Sequence, residues 1–319
     1  MNEKIVTYHT LFLALLCALL TSCNMNDKRD ECCGEGSVMT FRYLLGSVDE
    51  FAECISSMQY FLFDERGSFI FEMEPLNGDM TKVDLGGLSE GTYTMVAIGN
   101  LEDYGSLSDY AEEGLDGFYL TVDDVYDGSQ SNSSGKILAN GDRLYWGQSD
   151  FTIVEGQSKT YRTEMSNVHC KLTIMVEWEG VPTYSSGYTF SLDGIGSRLS
   201  LNAEQSDTIG VHTFPVVSGR TAAMMEDVTM RNLSLETSLY TLRLSEEEEM
   251  PVFQLYHGGE EQIPDVDLAS VFSQWSWKPS VAAVQEYEML IIIMQDGSIK
   301  ISDSLEFSSL DWSDGGTIG

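Results

Sequence analysis

Residues 169–178 alternate in character and predict a long β-strand. Successive side chains of a strand point to opposite faces of the sheet, so every second residue shares an environment. A helix would instead repeat its apolar positions every three or four residues. His169 falls on the opposite face, where we expect a surface imidazole. The predicted inner face carries Cys170, Leu172, Ile174, Val176 and Trp178.

Shorter runs with the same period recur along the chain, separated by turns rich in glycine and aspartate. Short strands at intervals of about ten residues, with few helices between them, favour β-sandwiches over an α/β fold. The predicted strands cover residues 39–43, 60–63, 69–71, 83–85, 92–98, 188–192, 212–217, 224–230, 239–244, 251–256, 287–294, 299–301 and 305–312.

The pattern between these strands predicts one or two short helices. Ser47 and Glu50 have the spacing of a capping box, and a second helix should follow Pro264 and Asp265. Residues 100–141 are rich in Asp, Gly and Ser, and we expect them to form a surface loop. The chain is therefore predicted to be mainly β, with two tandem β-sandwich domains over residues 38–163 and 164–319.

Residues 1–22 have the organisation of a signal peptide. The apolar stretch from Leu11 to Leu20 is far shorter than the roughly 20 residues that cross a bilayer. It leads into Leu20-Thr21-Ser22-Cys23, a lipobox, so Cys23 should become the acylated first residue of the mature chain. Several acyl chains would hold the protein on the outer membrane, and residues 23–37 would form a polar tether.

The chain is strongly acidic, with a formal net charge of −34 over 319 residues. Such a charge repels nucleic acids and anionic membrane surfaces, so we expect no nucleic-acid partner. With 42% hydrophobic residues, the chain has enough apolar surface for ordinary cores. Partners should bind through shape, apolar contact or strand pairing.

Four cysteines, Cys32, Cys33, Cys54 and Cys170, remain once Cys17 leaves with the signal peptide and Cys23 is acylated. An exported protein can form disulfides, and either Cys32 or Cys33 could pair with Cys54. Four thiols allow three full pairings, and the sequence does not choose among them. A metal site is the alternative, but there is no CxxC spacing. Cys170 should be a small buried residue.

Motifs for catalysis are missing. His169, His212 and His257 lie in neither an HExxH nor a GxSxG sequence, and no nucleotide-binding loop is present. We expect no catalytic residue, no cofactor and no metal. Asp123, Asp124 and Asp127 lack the spacing of an EF-hand and are interpreted as a solvated loop.

Several segments follow one another in a characteristic order: the lipobox with its cysteine-bearing tether, residues 38–43, 60–67 and 88–100, and Leu144-Tyr145-Trp146-Gly147 followed by His169-Cys170-Lys171-Leu172. In this order they resemble the fimbrillin superfamily, and above all the fimbrillin-A-associated anchor proteins of type V pili. Residues 195–260 match only loosely.

The resemblance implies two transthyretin-like β-sandwiches on an outer-membrane lipid anchor. It also implies a role in cell adhesion at the base of a fimbria, where the protein binds pilin subunits and ends their polymerisation. Such contacts use strand pairing, in which a strand of one subunit completes the sheet of another. Stalk and tip subunits of this superfamily lose their first strand by cleavage after an arginine. Arg29 and Arg42 are the arginines near the start, and because Arg42 lies inside a predicted strand, we expect the first strand to be retained.

Two other functions fit the sequence. One is a stalk or tip subunit, which would have its mature terminus at Tyr43. The other is a surface lipoprotein that binds glycans for nutrient uptake, with exposed tryptophans such as Trp146 or Trp277 stacking on sugars.

Overall fold

The computed structural model describes residues 36–101, 105–122, 136–138, 143–200, 204–205, 212–213, 222–228, 234–246 and 249–303. Side chains are described in all of these ranges except residues 136–138, 204–205, 212–213 and 222–228. The predicted signal peptide, most of the predicted tether, and the strand predicted at residues 305–312 lie outside the described residues.

The described part is built mainly from β-strands. In the first half of the chain they are β1 (Val38–Arg42), β2 (Leu44–Leu45), β3 (Val48–Asp49), β4 (Met58–Asp64), β5 (Phe69–Met73), β6 (Pro75–Leu76), β7 (Asp79–Asp84), β8 (Gly91–Gly99), β9 (Gly105–Leu107), β10 (Tyr119–Val122), β11 (Lys136–Leu138), β12 (Tyr145–Ile153) and β13 (Thr160–Glu164).

In the second half they are β14 (Ser166–Asn167), β15 (His169–Trp178), β16 (Tyr188–Ile195), β17 (Arg198–Ser200), β18 (Glu204–Gln205), β19 (His212–Thr213), β20 (Ala222–Val228), β21 (Ser234–Leu242), β22 (Val252–His257), β23 (Glu260–Glu261), β24 (Val266–Asp267), β25 (Gln285–Ile293) and β26 (Ile299–Ser302). The described helices are α1 (Phe51–Cys54), α2 (Tyr110–Glu113), α3 (Leu268–Gln274) and a 3-10 turn at Pro279–Val281.

Two sheets enclose the first core. Sheet 1 has the strand order β13-β1-β7-β6, and sheet 2 has the order β14-β12-β8-β4-β5. Each strand places alternate side chains between the sheets, as a two-layer sandwich requires. The core between the sheets contains Met39, Phe41, Tyr60, Leu62, Val83, Met95, Ala97, Tyr145 and Phe151.

Two further sheets contribute to the second core. Sheet 3 has the order β21-β15-β25-β26, in which β15 and β25 run parallel, and sheet 4 has the order β11-β20-β16-β22-β23, with β24 beside β22. The inner face predicted for β15 is confirmed, with Cys170, Leu172, Ile174 and Val176 buried and Trp178 packed against the same core.

Contacts continue across residue 163, where the sequence predicts the domain boundary. A small sheet 5 joins β10 to β17, with Leu120 opposite Leu199, and β11 pairs with β20. The outer face of sheet 2, with Phe61 and Val96, shares one apolar cluster with the core around β15. The division at residue 163 therefore stays a prediction, although strands on its two sides pair with each other.

The mainly β fold is confirmed, as are the hairpin of β4 with β5 and that of β25 with β26. In the second hairpin, Gly297 has φ of 83°, a left-handed conformation that glycine adopts without strain. The helix expected after Pro264 begins at Leu268, because the Asp267 side chain accepts a hydrogen bond from the Ala269 amide at 3.0 Å.

The predicted capping box of Ser47 and Glu50 is wrong. Ser47 lies in the turn between β2 and β3, and the Glu50 side chain makes no capping hydrogen bond to α1. Asp49 caps the helix instead, because its Oδ1 accepts a hydrogen bond from the amide of Phe51, the first residue of α1, at 3.2 Å. The same oxygen also accepts from the Tyr43 amide at 3.3 Å. A carboxylate two residues before a short helix satisfies the amides that the helix leaves unpaired.

The prediction of a surface loop over residues 100–141 is wrong for the part that the structure describes. Residues 105–122 contain β9, α2 and β10, and Phe118 and Leu120 are buried. Phe118 packs against Phe61 with ring centroids 5.1 Å apart. These few apolar residues carry no clear period, and their burial comes from contact with sheet 2. Asp123, Asp124 and Asp127 lie outside the described residues.

Candidate functional site: the first-strand position

The first strand of the folded part occupies a central place in sheet 1. β1 pairs in antiparallel register with β7 and in parallel register with β13, so that Met39 lies between Val83 and Tyr161. We call this place the first-strand position. The sequence forms a strand here because Val38, Phe41 and Thr40 have β-favouring side chains and alternate in exposure.

The inward side chains of this segment are part of the first core. Met39, Phe41 and Tyr43 are 0%, 2% and 4% exposed. The Phe41 ring packs on Tyr60 with centroids 5.0 Å apart, and Tyr43 meets Tyr145 edge-on at 4.7 Å. Burying each such side chain contributes about 1.5–3 kcal/mol, so the core depends on the presence of β1.

Hydrogen bonds fix the beginning of β1. The Ser37 carbonyl accepts from the Leu85 amide at 2.7 Å, and the Ser37 hydroxyl accepts from the Lys159 amide at 3.2 Å. Gly36 crosses Gly86 closely, since a Cβ on Gly36 would come within 2.6 Å of the Gly86 Cα. A surface pocket of about 400 Å³ lies beside this point, lined by residues that include Leu88, Ile153 and Val154.

The end of β1 is also held. The Arg42 carbonyl accepts a hydrogen bond from the Met165 amide at 2.7 Å. The Arg42 guanidinium lies 3.8 Å from the Asp49 carboxylate, and both side chains are about half exposed, so the ion pair itself adds little. The main chain at Arg42 is thus built into the sheet, while its side chain remains at the surface.

The polar groups around the first-strand position have shifted pKa values with clear causes. Burial raises the pKa of Tyr43 to about 12, and the nearby Cys54 and Glu286 add to the shift. Burial also raises the pKa of Tyr60 well above its usual range. Hydrogen bonds from Thr81 and Lys82 lower the pKa of Asp79 to about 2. The causes of these pKa shifts are burial for the two tyrosines and hydrogen bonding for Asp79.

Two features are absent from the described ranges of the chain. No group of three or more His, Cys, Asp or Glu side chains there could hold a metal ion. No helix in those ranges is both long and apolar enough to cross a membrane.

The predicted cysteine sites are only partly within the described residues. Cys23, Cys32 and Cys33 lie outside them, so acylation of Cys23 and a disulfide from Cys32 or Cys33 to Cys54 stay predictions. Cys54 ends α1, beside the first-strand position, and its Sγ accepts from the Arg143 guanidinium at 3.7 Å. Cys170 is fully buried, and this burial raises the pKa of its thiol.

The expectation that His169 is a surface imidazole is wrong. His169 is fully buried at the start of β15, where the Tyr145 ring lies 5.5 Å away and Tyr240 covers it as well. Its Nδ1 accepts from the Leu144 amide at 2.9 Å. Alternation fails as a guide at this position because the chain around Leu144 covers the second face of the strand.

A partly buried polar network next to His169 was missed by sequence reasoning. The Arg243 guanidinium donates to the Asn167 carbonyl at 2.9 Å, to the Ala283 carbonyl at 3.2 Å and to the Ala282 carbonyl. Gln285 bonds the Leu244 amide and carbonyl at 2.7 and 2.8 Å. These residues join the start of β15 to the segment before β25. The only sign of this network in the sequence was a single arginine after an apolar strand.

Of the two tryptophans proposed for sugar stacking, one is buried and the other is half-buried. Trp146 is 2% exposed within the cluster on the outer face of sheet 2, so its expected exposure is wrong. Trp277 is half-buried and packs against Phe272, Trp275 and Tyr287, with centroids 4.7–5.0 Å apart.

Comparison with known proteins places the chain among fimbrial proteins. A family model described as "Fimbrillin-A associated anchor proteins Mfa1 and Mfa2" matches residues 29–312. No curated protein matches the sequence significantly.

Three solved structures share the fold at low identity. A proposed adhesin from Bacteroides ovatus has a TM-score of 0.62 at 14% identity, covering 83% of this chain and 92% of its own. A proposed polysaccharide-binding protein from Bacteroides thetaiotaomicron has 0.61 at 11%, covering 83% and 95%. The fimbrial anchor protein Mfa2 from Porphyromonas gingivalis has 0.57 at 13%, covering 84% and 96%.

Proposed function

Because the chain belongs to the family of fimbrillin-A associated anchor proteins, we propose that it is an outer-membrane lipoprotein that fixes a fimbria to the cell surface and ends its polymerisation. Anchoring of this kind is structural work and needs no catalytic residue. The partner is a fimbrial subunit, and the contact includes paired strands.

The observation that carries the proposal is the occupied first-strand position. A fibre that grows by strand exchange needs, in each subunit, an open place in a sheet for a neighbour's strand. Here β1 fills that place from within the chain and is paired on both sides. A subunit whose own strand closes the groove has no place there for another subunit's strand, and the fibre stops at it.

The lipid anchor is supported by the sequence around Cys23 and by the position of Gly36. Gly36 lies 13 positions after Cys23, a separation of at most about 45 Å when the chain is fully extended. The folded part would stay close to the membrane at the end of sheet 1 where β1 begins. Several acyl chains on Cys23 would make this attachment permanent.

The net charge of −34 repels anionic surfaces. It therefore supports a partner that binds by apolar contact and strand pairing. The same charge keeps nucleic acids away.

Deleting the gene and imaging the fibres tests the proposal. We expect fibres that are longer or shed into the medium, and restoration by a plasmid copy of the wild-type gene. Cells whose fibres keep their length and attachment would show that the protein is not the anchor.

Replacing Cys23 with alanine tests the lipid anchor separately. This variant should lose its membrane association and release the fibres, whereas the control Cys54→Ser keeps both. Mass spectrometry of the native protein should find acylated Cys23 at the mature terminus. A terminus at Tyr43 would instead assign the protein to the stalk or tip subunits.

A further inference from the structure

β5 forms one edge of sheet 2. It pairs with β4 on one side, from Tyr60 opposite Met73 to Phe63 opposite Phe69, and no strand of the described part pairs with its other side. An unpaired edge presents main-chain N–H and C=O groups in the spacing of a strand, which makes it a template for another extended chain.

Only one side chain of β5, Glu72, is of the charged kind that protects an edge. Ile70 and Phe71 are 39% and 42% exposed, and the strand contains neither lysine nor proline. Within the described ranges, these are the only exposed large apolar side chains on a strand longer than two residues.

The other long edges are polar or closed. On β13 the exposed residues are Thr160, Arg162 and Glu164. On β21 the exposed residue is Glu236, and β26 keeps Ile299 and Ile301 buried. Charged side chains on an edge discourage pairing. β5 also has one exposed carboxylate, Glu72, but of these four edges it is the one that exposes large apolar side chains, so it is the edge best suited to accept a strand.

Side chains of β5 also pack against β4 and α2, which holds the strand in place. Phe69 packs between Phe63 and Tyr110, with centroids 5.8 and 4.9 Å away, and the Tyr110 hydroxyl donates to the Glu72 carboxylate. A bulge at Ile70 lies between the pairs Leu62–Phe71 and Phe63–Phe69, and Ile70 is 39% exposed. A rigid edge loses little conformational entropy when a strand is added.

We propose that the outer edge of β5 is where a strand of the fimbrial subunit is added to the anchor. This inference rests on the proposed function and names the surface through which it acts. Ile70 and Phe71 would lie beside alternate apolar residues of the added strand, while main-chain hydrogen bonds supply the pairing.

The charges around β5 define the partner further. Residues 64–76 contain four carboxylates, Asp64, Glu65, Glu72 and Glu74, and a single cation, Arg66. An added strand with lysine or arginine beside its apolar residues fits this edge, and like charges across paired strands are destabilising. A second copy of this chain is therefore disfavoured, because each copy carries a net charge of −34.

The test compares charged substitutions on this edge with the same substitutions elsewhere. The double variant Ile70→Lys with Phe71→Lys introduces lysine on the edge strand. The control Val48→Lys with Val281→Lys changes two residues that are 56% and 54% exposed outside this edge. Both are expressed in the deletion strain, and the anchor on the cells and the fibres in the medium are quantified.

The edge variant should shed fibres as the deletion does, although it is present on the cell in normal amount. Fibres isolated from the deletion strain should bind the purified edge variant at least ten-fold more weakly than wild type. The control should behave as wild type in both assays. If the lysine variant does not fold, as judged by its thermal melt, Ile70→Thr with Phe71→Thr replaces it with the same expectation.

The outcomes separate the two proposals. If deletion sheds fibres and the folded edge variants retain them, the β5 inference is overturned while the anchor function stands. If deletion sheds no fibres, the proposed anchor function itself is wrong. If purified wild-type protein forms dimers that the edge variant abolishes, the strand at β5 comes from a second copy, and the fibre is not its partner.

Discussion

The carbonyl of Arg42 accepts a hydrogen bond from the amide of Met165, 123 positions later in the sequence, at 2.7 Å. This bond joins the end of the first strand to the segment that leads into β14. Arg42 is the residue after which cleavage would remove most of β1. Because a protease needs an extended, unpaired substrate, a main chain that is paired with β13, as Arg42 is with Glu164, resists cutting.

Limited proteolysis with trypsin should therefore spare Arg42 in the folded protein. Arg66 is exposed in the turn between β4 and β5 and should be cut first. Mass spectrometry of the fragments over time identifies the cleaved bonds. Early appearance of a fragment that begins at Tyr43 would mean that β1 leaves the sheet readily.

Replacing Phe41 with alanine should lower the free energy of unfolding by about 3–5 kcal/mol, because it opens a cavity in the core of the first sandwich. Phe71→Ala is the matched control, since the same ring is removed where it is 42% exposed. It should lower the free energy much less. Denaturant unfolding measures both, and equal losses would contradict the central place of β1.

Stability should decline at alkaline pH in part through Tyr43. Its pKa is raised to about 12 in the folded protein by burial, whereas the unfolded chain ionises near its ordinary value of about 10. The contribution of Tyr43 is fully present below about pH 10 and is lost as the pH rises to about 12.

The variant Tyr43→Phe cannot ionise, so its unfolding free energy should fall less steeply over this range. Denaturant titrations at several pH values, with tyrosinate absorbance as a second readout, compare the two proteins. Identical slopes would show that Tyr43 ionises equally easily in both states.

Arg243→Met should destabilise the protein by at least about 2 kcal/mol. The substitution removes the donor to the carbonyls of Asn167 and Ala282, whose bonds are partly buried, and to the exposed carbonyl of Ala283. An acceptor that loses its donor away from water is costly. Arg162→Met, at an exposed position on β13, is the control and should change stability by no more than about 0.5 kcal/mol. Thermal unfolding compares the stability of the two variants. Similar melting temperatures would show that the Arg243 network contributes little to the stability of the fold.

Strand predictions succeeded where one face of a strand is buried and the other is not. β1 and most of β15 follow this rule, and their inner faces were predicted residue by residue. The rule failed at His169, where the chain around Leu144 covers the second face. It also missed Phe118 and Leu120, because three or four residues are too few to show a period.

The sequence was equally incomplete for the candidate site. It predicted β1 and the position of Arg42 within it, because both depend on the local pattern of side chains. The neighbours of β1 could not be predicted, since Val83 and Tyr161 are 44 and 122 residues away from Met39 in the sequence. The exposed edge of β5 could not be predicted for the same reason. Its residues have the pattern of an ordinary strand, which does not indicate whether a neighbouring strand pairs with it.

By itself, the sequence determined the mainly β fold, the inner faces of the principal strands and the family, since these follow from the alternation of side chains and from the order of short segments. Only the tertiary structure decided that β1 closes the first-strand position, that His169 and Trp146 are buried and that β5 is an open edge among the described strands. Alternation fixes which side of a strand is apolar, but which strands become neighbours depends on contacts between residues far apart in the chain.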